Sequence, residues 1–350
     1  MERHPIPTNA PAKEPQIPLF PKPFRKSRHF GAFLICCALF VAGFALTGLW
    51  SNIDRSFDGD GAEGTTTQAD EPHLPPASDP IVPPNGEVIN IPKGATPIVT
   101  YDLSYLDRGI AYLNNETFYK PSVSALLDCS VTSKPSDGPL VLVLHTHTSE
   151  GYLAESAAYL EGDLGNLTYT KDEERNMLAI GNAFIAALNK NGITAIHCMV
   201  MHDASGLSGS YERAAESIQF FLTHYPSIRY VVDLHRDAIL TADGEYVRAA
   251  TEIEGESVAQ ILPVVGSNAG GWEHDGWEGN LSLALQLRQA LNQNSTSLCR
   301  PVMLRNSTYN QELAPYAILL EIGTGANTID EAIRAATLAG EAFARVILAY

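Results

Sequence analysis

The sequence predicts an α/β fold with a mostly parallel sheet and helices on both faces, preceded by one transmembrane helix. Over residues 96–350, apolar strand-like runs alternate with amphipathic helical segments. This alternation is typical of βαβ units, in which each helix packs on a face of the sheet. Upstream, residues 30–50 form a run of 21 residues without a charge, which is long enough to cross a bilayer.

The chain before residue 96 divides into three predicted segments. Residues 1–29 are basic and Pro-rich and are expected to be a disordered tail, and residues 51–95 are a Pro-, Gly- and Asp-rich linker. A buried helix or a cleaved signal peptide are the alternatives for 30–50, but a soluble helix is rarely apolar all round and a signal core spans only about 7–15 residues. Lys and Arg precede the span and Asp follows it, so we expect a single-pass protein of the cell membrane with a cytoplasmic N-terminus and residues 51–350 outside.

Charge and cysteine content argue against three kinds of protein. The formal net charge is −17, and residues 1–29 carry six Lys/Arg against two acids, which leaves −21 for the rest. An acidic body argues against nucleic acid as a partner, since phosphate contacts need Lys and Arg. Outside the apolar run, Cys129, Cys198 and Cys299 are widely spaced and contain no CxxC pair, so they predict neither a disulfide framework nor a zinc knuckle.

The predicted elements of residues 96–350 follow one another in a regular order. A strand at 139–145 precedes a helix at 170–192, whose start has Thr170 and Glu173 at capping-box spacing and whose buried face is marked by Met177, Ile180, Phe184 and Leu188. The last helix opens with Thr328 and Glu331 at the same spacing. Between them we predict strands at 193–200 and 229–235, a strand pair at 246–253 and 258–266, a strand at 316–323, and helices at 211–225 and 280–294.

Three of these strands end in side chains that bind metals or transfer protons. The stretch "VLVLHTHTSE" ends in His145, His147 and Glu150, "YVVDLHRD" in His235, and "AILLEIG" in Glu321. Parallel strands bring their carboxyl ends to one edge of a sheet, where sites form. Two imidazoles and a carboxylate with an open fourth position are the ligands of a catalytic zinc site, and a further carboxylate then serves as general base and acid.

The sequence leaves the ligand set open. In an extended segment His145 and His147 point to the same side, so either both bind the metal or one hydrogen-bonds in the pocket. We slightly favour His145, because it directly continues the strand. Glu150 is a ligand, a supporting group or a solvated loop carboxylate, and Asp172 or Glu173 is the alternative carboxylate ligand.

Other polar and aromatic residues near the predicted strand ends have open roles. Arg236 is expected to stabilise an oxyanion or to bind a substrate carboxylate, while Asp233 and Asp237 orient His235. The loop "GGWEHDGWEGN", with Trp272, His274 and Trp277, either lines the groove or is a packed aromatic loop. His197 and His202 are expected to be structural or exposed.

The motifs "HTHTSEGY", "DLHRD" and "YNQELAPYAILLEIGTGANTIDEA", together with the N-terminal span, resemble the stage II sporulation protein P family of endospore-forming bacteria over residues 95–350. The resemblance implies a membrane-anchored peptidoglycan hydrolase, related to zinc-dependent N-acetylmuramoyl-L-alanine amidases, that cleaves the amide between muramic acid and L-alanine. It also implies a part in engulfment, stage II sporulation proteins D and M as partners, and a second, glycan-cleaving activity to which no residue here can be assigned.

The resemblance also implies roles for particular residues. His145 or His147, Glu150 and His235 fall on the metal-site motifs, and Glu321 falls on the catalytic glutamate. The related amidases take their carboxylate ligand from near the start of the first helix, where this sequence reads "TKDEERN". The alternatives are a zinc carboxypeptidase or endopeptidase acting on the stem peptide, and a membrane-tethered scaffold that binds the wall without cutting it.

Overall fold

The predicted alternation of strands and helices is present in the computed structural model, which describes residues 91–104, 113–134, 137–293 and 297–348. Its strands are β1 (Thr96–Tyr101), β2 (Leu113–Asn115), β3 (Val141–Leu144), β4 (Tyr159–Leu160), β5 (Ala195–His197), β6 (Tyr230–Asp237), β7 (Tyr246–Ile253), β8 (Glu256–Ala259), β9 (Ile261–Val265), β10 (Val302–Leu304) and β11 (Tyr316–Thr324). Its helices are α1 (Val123–Leu127), α2 (Leu164–Thr168), α3 (Met177–Lys190), α4 (Ser210–His224), α5 (Trp277–Leu291) and α6 (Ile329–Ile347).

The predicted tail and membrane span, and nearly all of the predicted linker, lie outside the described residues. Among the residues that are described, no helix combines the length and the apolar character needed to cross a bilayer. The predicted span and its orientation therefore stay predictions.

A seven-stranded mixed sheet forms the centre of the fold, with strand order β2-β10-β9-β11-β6-β3-β5. All neighbouring pairs in it are parallel except β9 with β11. That exception has a local cause. Only Gln260 separates β8 from β9, so no helix returns the chain across the sheet and β9 enters in the opposite direction.

Helices cover both faces of this sheet, as predicted. Val141 and Val143 of β3 pack in the large core that includes α3, α5 and α6, while Leu142 and Leu144 pack against α4 on the other face. Alternate residues of a strand point to opposite faces, and here both faces are buried. This explains why β3 is apolar throughout rather than alternating with polar residues.

The helix boundaries show one wrong prediction and one confirmed prediction. The helix predicted from Thr170 begins only at Met177, where the Asn176 side chain accepts a hydrogen bond from the backbone N–H of Leu178 at 2.9 Å. Residues before it instead pair with the segment after β3, through the bridges Glu150–Tyr169 and Gly151–Asn176. The capping box at the start of α6 is present as predicted.

A second sheet of four strands, in the order β4-β1-β7-β8, was not predicted as a separate unit. The predicted pairing of 246–253 with 258–266 is right only for β7 and β8, because the second segment divides at Gln260. The Gln260 side chain is buried and binds Leu103 N–H, Asp102 and the carbonyl of Ser297, which fixes the point where the chain leaves one sheet for the other.

Candidate active site

Four of the predicted site residues meet at the carboxyl ends of β3, β6 and β11. These three strands are adjacent and parallel, and Glu321 of β11 pairs directly with His235 of β6. His235 and Glu321 therefore present their side chains side by side on the face covered by α4. His147 and Glu150 approach His235 from the segment that follows β3.

A turn, rather than an extended strand, presents His147 and Glu150. β3 ends at Leu144, and the backbone N–H of Glu150 then binds the carbonyl of His147 at 3.1 Å. The Thr148 hydroxyl donates to the carbonyl of His145 at 2.9 Å and reinforces the turn. The assumption that His145 and His147 point to one side is therefore wrong.

His145 lies apart from the other three residues. Its Nε2 is 2.8 Å from His197 Nε2, and its Nδ1 is 3.2 Å from the carbonyl of Leu234. A Cβ atom on Gly181 of α3 would lie only 2.7 Å from His145 Nε2, so His145 is enclosed on the face that carries α3. Burial, with His197 beside it, lowers the pKa of His145 to about 3. The structure therefore does not support the preference for His145.

His235 stands between two carboxylates. Its Nδ1 is 3.4 Å from Glu150 Oε2 and its Nε2 is 3.0 Å from Asp233 Oδ1. The ring of His147 meets it edge-on at 5.3 Å. Burial alone would lower the pKa of His235, but Asp233 and Glu150 raise it well above its usual value. Asp233 thus contacts His235 as predicted, and it is itself held by the N–H and hydroxyl of Thr146 at 2.9 and 2.6 Å.

Glu321 is a partly buried carboxylate with one unsatisfied oxygen. Its Oε2 atom is buried and has no hydrogen-bond partner, and the Nε2 atom of His235 also lacks a well-oriented one. Burial, and then the charge of Asp237, raise the pKa of Glu321 to about 8. Asp237 was expected to orient His235, but its carboxylate binds Arg300 at 2.8 Å.

Arg236 supports the turn rather than facing the cluster. Its backbone N–H donates to Glu150 Oε2 at 3.2 Å, and its guanidinium binds the carbonyl of Gly151 at 2.8 Å and the hydroxyl of Thr168 at 3.1 Å. The guanidinium also lies 5.0 Å from the centre of the Tyr169 ring. These contacts do not support the predicted role toward an oxyanion or a substrate carboxylate.

The alternative carboxylates and the aromatic loop lie outside the cluster. Asp172 and Glu173 are exposed, and Asp172 accepts the N–H of Glu174 in a local turn. The loop with Trp272 and His274 follows β9, and the antiparallel direction of β9 carries it to the opposite edge of the sheet. There Trp277 stacks on Tyr119 at 4.8 Å, and His274 Nε2 lies 3.1 Å from the Asn280 side-chain amide, whereas Trp272 is exposed. His274 and Trp277 are thus packed as a packed aromatic loop would have them.

His197 and His202 form hydrogen bonds inside the domain. His197 holds the side chain of His145, and His202 Nδ1 lies 2.8 Å from the carbonyl of His145 while its Nε2 lies 2.9 Å from the Ser217 hydroxyl. They fix the end of β3 from the two faces of the sheet. These contacts are those of structural residues, one of the two roles, structural or exposed, that were expected for them.

Two tyrosines beside the cluster were not predicted. The ring of Tyr211 meets His147 edge-on at 5.7 Å, and Tyr309 lies 6.1 Å from Tyr211. Burial, and then Asp233, raise the pKa of Tyr211 well above its usual value. Tyr309 begins the motif "YNQELAPYAILLEIGTGANTIDEA". Tyr211 lies near the start of a helix about a hundred residues earlier, so no sequence pattern connects the two tyrosines.

The cluster fits a metal ion by its donor types. Among the described residues, no three His, Cys, Asp or Glu side chains are arranged as they stand to hold a metal. The donors brought together are nonetheless the set used by hydrolytic zinc sites, two imidazoles and a carboxylate with a second carboxylate alongside. Glu321 Oε2, which has no hydrogen-bond partner, is an atom that a bound cation would satisfy.

Fold and cluster together define a mixed α/β protein with an imidazole–carboxylate centre at the carboxyl edge of its parallel strands. The chain belongs to the stage II sporulation protein P family, whose sequence profile matches residues 108–347. The resemblance drawn from the motifs is confirmed. Stage II sporulation protein P of Bacillus subtilis (strain 168) is 26% identical over 221 residues, which cover 60% of this chain and 51% of that protein. The match thus spans about half of the relative's length.

Solved structures with similarity to this chain include amidases of low sequence identity. N-acetylmuramoyl-L-alanine amidase AmiC2 of Nostoc punctiforme is 20% identical, with 61% of this chain and 97% of that chain covered and a TM-score of 0.33. An N-acetylmuramoyl-L-alanine amidase from Clostridium difficile 630 is 17% identical, with the same coverage and a TM-score of 0.37. The CwlD amidase from Clostridioides difficile, solved in complex with the GerS lipoprotein, is 13% identical, covers 58% and 95%, and has a TM-score of 0.33.

Proposed function

We propose that this protein is a zinc-dependent peptidoglycan hydrolase that cleaves the amide between N-acetylmuramic acid and the L-alanine of the stem peptide. One observation carries the proposal: His147, Glu150, His235 and Glu321 converge at the carboxyl ends of three adjacent parallel strands. Membership of the stage II sporulation protein P family supports it.

His147, Glu150 and His235 would hold the metal. When bound, zinc supplies Lewis-acid polarisation of a carbonyl and lowers the pKa of water toward about 7. Asp233 holds His235 at Nε2, and Thr146 in turn holds Asp233, so the imidazole has a fixed orientation. Each ring nitrogen of His235 lies next to a carboxylate. To bind a metal, the ring would have to give up its contact with one of these two carboxylates.

Glu321 is assigned as general base and acid. It takes a proton from the attacking water and passes it to the departing L-alanine nitrogen, because an amine leaves poorly without that proton. Without a cation, burial and then Asp237 raise the pKa of Glu321 to about 8, which favours its protonated form. A nearby cation lowers the pKa of a carboxyl, so a bound metal would bring Glu321 into the range in which it can both accept and return a proton at neutral pH.

Arg236 stabilises the turn that presents Glu150. Its backbone N–H fixes Glu150 Oε2, and its guanidinium fixes the carbonyl of the next residue, Gly151. A Cβ atom on Gly151 would lie within 2.8 Å of two backbone carbonyl oxygens, so this close approach requires glycine. These contacts keep Glu150 oriented toward His235.

The products of a defined muropeptide test the proposal. The amidase releases sugar that retains its lactyl carboxylate and a peptide with a free L-alanine N-terminus, which mass spectrometry identifies directly. Peptide shortened while it remains on the sugar would instead identify a carboxypeptidase or endopeptidase. Binding without any product would identify a wall-binding scaffold.

We extend the proposal to the setting that the family resemblance implies. The protein is anchored in the cell membrane through residues 30–50, with the catalytic domain outside, and acts in engulfment with stage II sporulation proteins D and M. A second, glycan-cleaving activity belongs to the same proposal, and shortened glycan strands among the products would reveal it.

A further inference from the structure

Tyr211 and Tyr309 form a continuous aromatic surface beside the cluster. Tyr211 contacts His147 edge-on at 5.7 Å, and Tyr309 extends the surface at 6.1 Å from Tyr211. Both side chains are partly exposed. Tyr309 packs on the apolar patch that includes Leu319, which lies two residues before Glu321 and therefore on the same face of β11. The surface thus extends from the proposed metal ligands toward the proposed general base.

The backbone at Tyr309 is held in an uncommon conformation. Tyr309 and Asn310 have φ angles of 54° and 59°, in the left-handed region that side chains other than glycine seldom adopt. The Asn310 side chain donates to the carbonyl of Tyr211 at 2.8 Å, which connects the two tyrosines. Such conformations persist only where surrounding contacts impose them, and they are concentrated at binding and catalytic sites.

Contacts with the end of β9 impose this conformation. The Gln311 side chain accepts the N–H of Gly266 at 2.9 Å and donates to the carbonyl of Val264 at 3.0 Å. A Cβ atom on Gly266 would collide with the carbonyl oxygen of Ser307, so loop and strand are in direct backbone contact. The loop is therefore fixed before any substrate arrives, as expected of a preformed binding surface.

Charge indicates what this surface binds. The carboxylates of Glu150 and Asp233 adjoin it with His235 between them, and Arg236 and Arg300 each already bind groups of the protein. A carboxylate-bearing peptide would be repelled by these acids, whereas a neutral sugar ring would not. The faces of aromatic rings carry partial negative charge and attract the C–H groups that a sugar ring presents.

We propose that Tyr211 and Tyr309 form a subsite for a neutral sugar ring, which holds the N-acetylmuramic acid next to the scissile amide. This inference rests on the proposed function and adds the orientation of the substrate. The sugar lies on the α4 face over the tyrosines, and the stem peptide leaves on the other side of Glu321.

Two substrates with the same scissile amide test the subsite. One is a muropeptide, and the other is the D-lactoyl peptide of identical sequence without the sugar. Tyr309→Leu retains apolar packing on Leu319 but removes the ring. We expect it to lower kcat/KM about three- to tenfold on the muropeptide, which corresponds to the energy of an aromatic contact, and to leave the lactoyl peptide unchanged. Tyr309→Phe should behave as wild type, and so should Phe118→Ala, which removes a 71% exposed ring near the outer edge of the sheet.

An equal loss on both substrates would overturn the subsite, because the ring would then act on the reacting centre rather than on the sugar. Calorimetric titration with N-acetylglucosamine oligomers, whose rings are neutral and carry no lactyl carboxylate, tests it without catalysis. Tyr309→Leu should raise the Kd about three- to tenfold, and an unchanged Kd would overturn the inference. If wild type cleaves neither substrate but the variant binds glycan more weakly, the proposed function fails and the sugar subsite stands.

Discussion

Replacing Glu321 with glutamine should make the metal-free protein more stable while removing its activity. The carboxylate is buried at Oε2 without a hydrogen-bond partner, and Asp237 and Glu150 add negative charge around it. Glutamine has the same shape and carries no charge. We therefore expect turnover to fall about 10²–10⁴-fold while the free energy of unfolding rises.

The size of the stability gain follows from the pKa of Glu321 in the unfolded and in the folded state. Glu321 titrates near 4.5 when unfolded and near 8 when folded. Below pH 4.5 the carboxyl is protonated in the folded and the unfolded state, so it does not affect the free energy of unfolding. As the pH rises, the carboxyl lowers that free energy more and more, and the effect reaches its full size above pH 8. The full difference is on the order of 5 kcal/mol, and partial exposure of the side chain reduces it to about 2–4 kcal/mol. For a domain of this size that corresponds to roughly 4–15 °C in Tm.

Thermal unfolding in EDTA at pH 5 and pH 8.5 measures the effect. The gain of Glu321→Gln should be large at pH 8.5 and small at pH 5, and added Zn²⁺ should reduce it. Glu331→Gln is the matched control: burial would raise the pKa of Glu331, but the hydrogen bond from Arg248 lowers it, so this change should destabilise at pH 8.5. A gain for Glu321→Gln that is independent of pH, or no gain, would refute the account of this carboxylate.

Further predictions concern the ligands, the turn, the cap and the topology. His147→Ala should abolish stoichiometric zinc in dialysed protein, whereas His145→Ala should retain it despite a loss of about 1–3 kcal/mol in stability; equal zinc loss would refute the assignment. Arg236→Gln should lower zinc affinity about 10–100-fold, measured by competition with a chelator, and unchanged affinity would remove Arg236 from the support of Glu150. Thr328→Ala should cost about 1 kcal/mol in urea unfolding, and no loss would show that the α6 cap is not stabilising. Protease added to intact protoplasts should digest the domain after residues 30–50, and full protection would contradict the topology.

The strand ends were the most predictable part of the site. Apolar runs followed by polar residues located β3, β6 and β11, and the parallel arrangement brought His147, His235 and Glu321 to one edge, as expected. The slight preference for His145 over His147 is not supported, because it treated the chain as extended past Leu144. Counting alternation along β3 places His145 on the face opposite Leu144, the face that carries α3, and this information was already in the sequence.

Other features depend on contacts that are distant in sequence. The direction of β9 depends on Gln260, which sequence patterns read as an ordinary residue within one strand. The start of α3 depends on pairing between the segment before it and the turn after β3, which overrides the capping-box spacing at Thr170. Tyr211 and Tyr309 meet only because a loop between β10 and β11 adopts a left-handed backbone. Local propensity contains no information about any of these contacts.

An irregularity of the backbone lies directly beside the unsatisfied carboxylate of Glu321 and the rest of the site. Regular pairing between β11 and β6 continues up to Glu321 and His235 and then shifts register before Thr324 meets Asp237. Gly323 lies in that shift with a φ angle of 67°, and a Cβ atom there would be 2.6 Å from the Asn327 side chain. Glu321 and His235 are thus the last pair in the regular register between β11 and β6, and Glu321 Oε2 has no hydrogen-bond partner there. A carboxylate that is held rigidly without a hydrogen-bond partner lowers the stability of the fold. The same carboxylate is available to exchange a proton with a substrate.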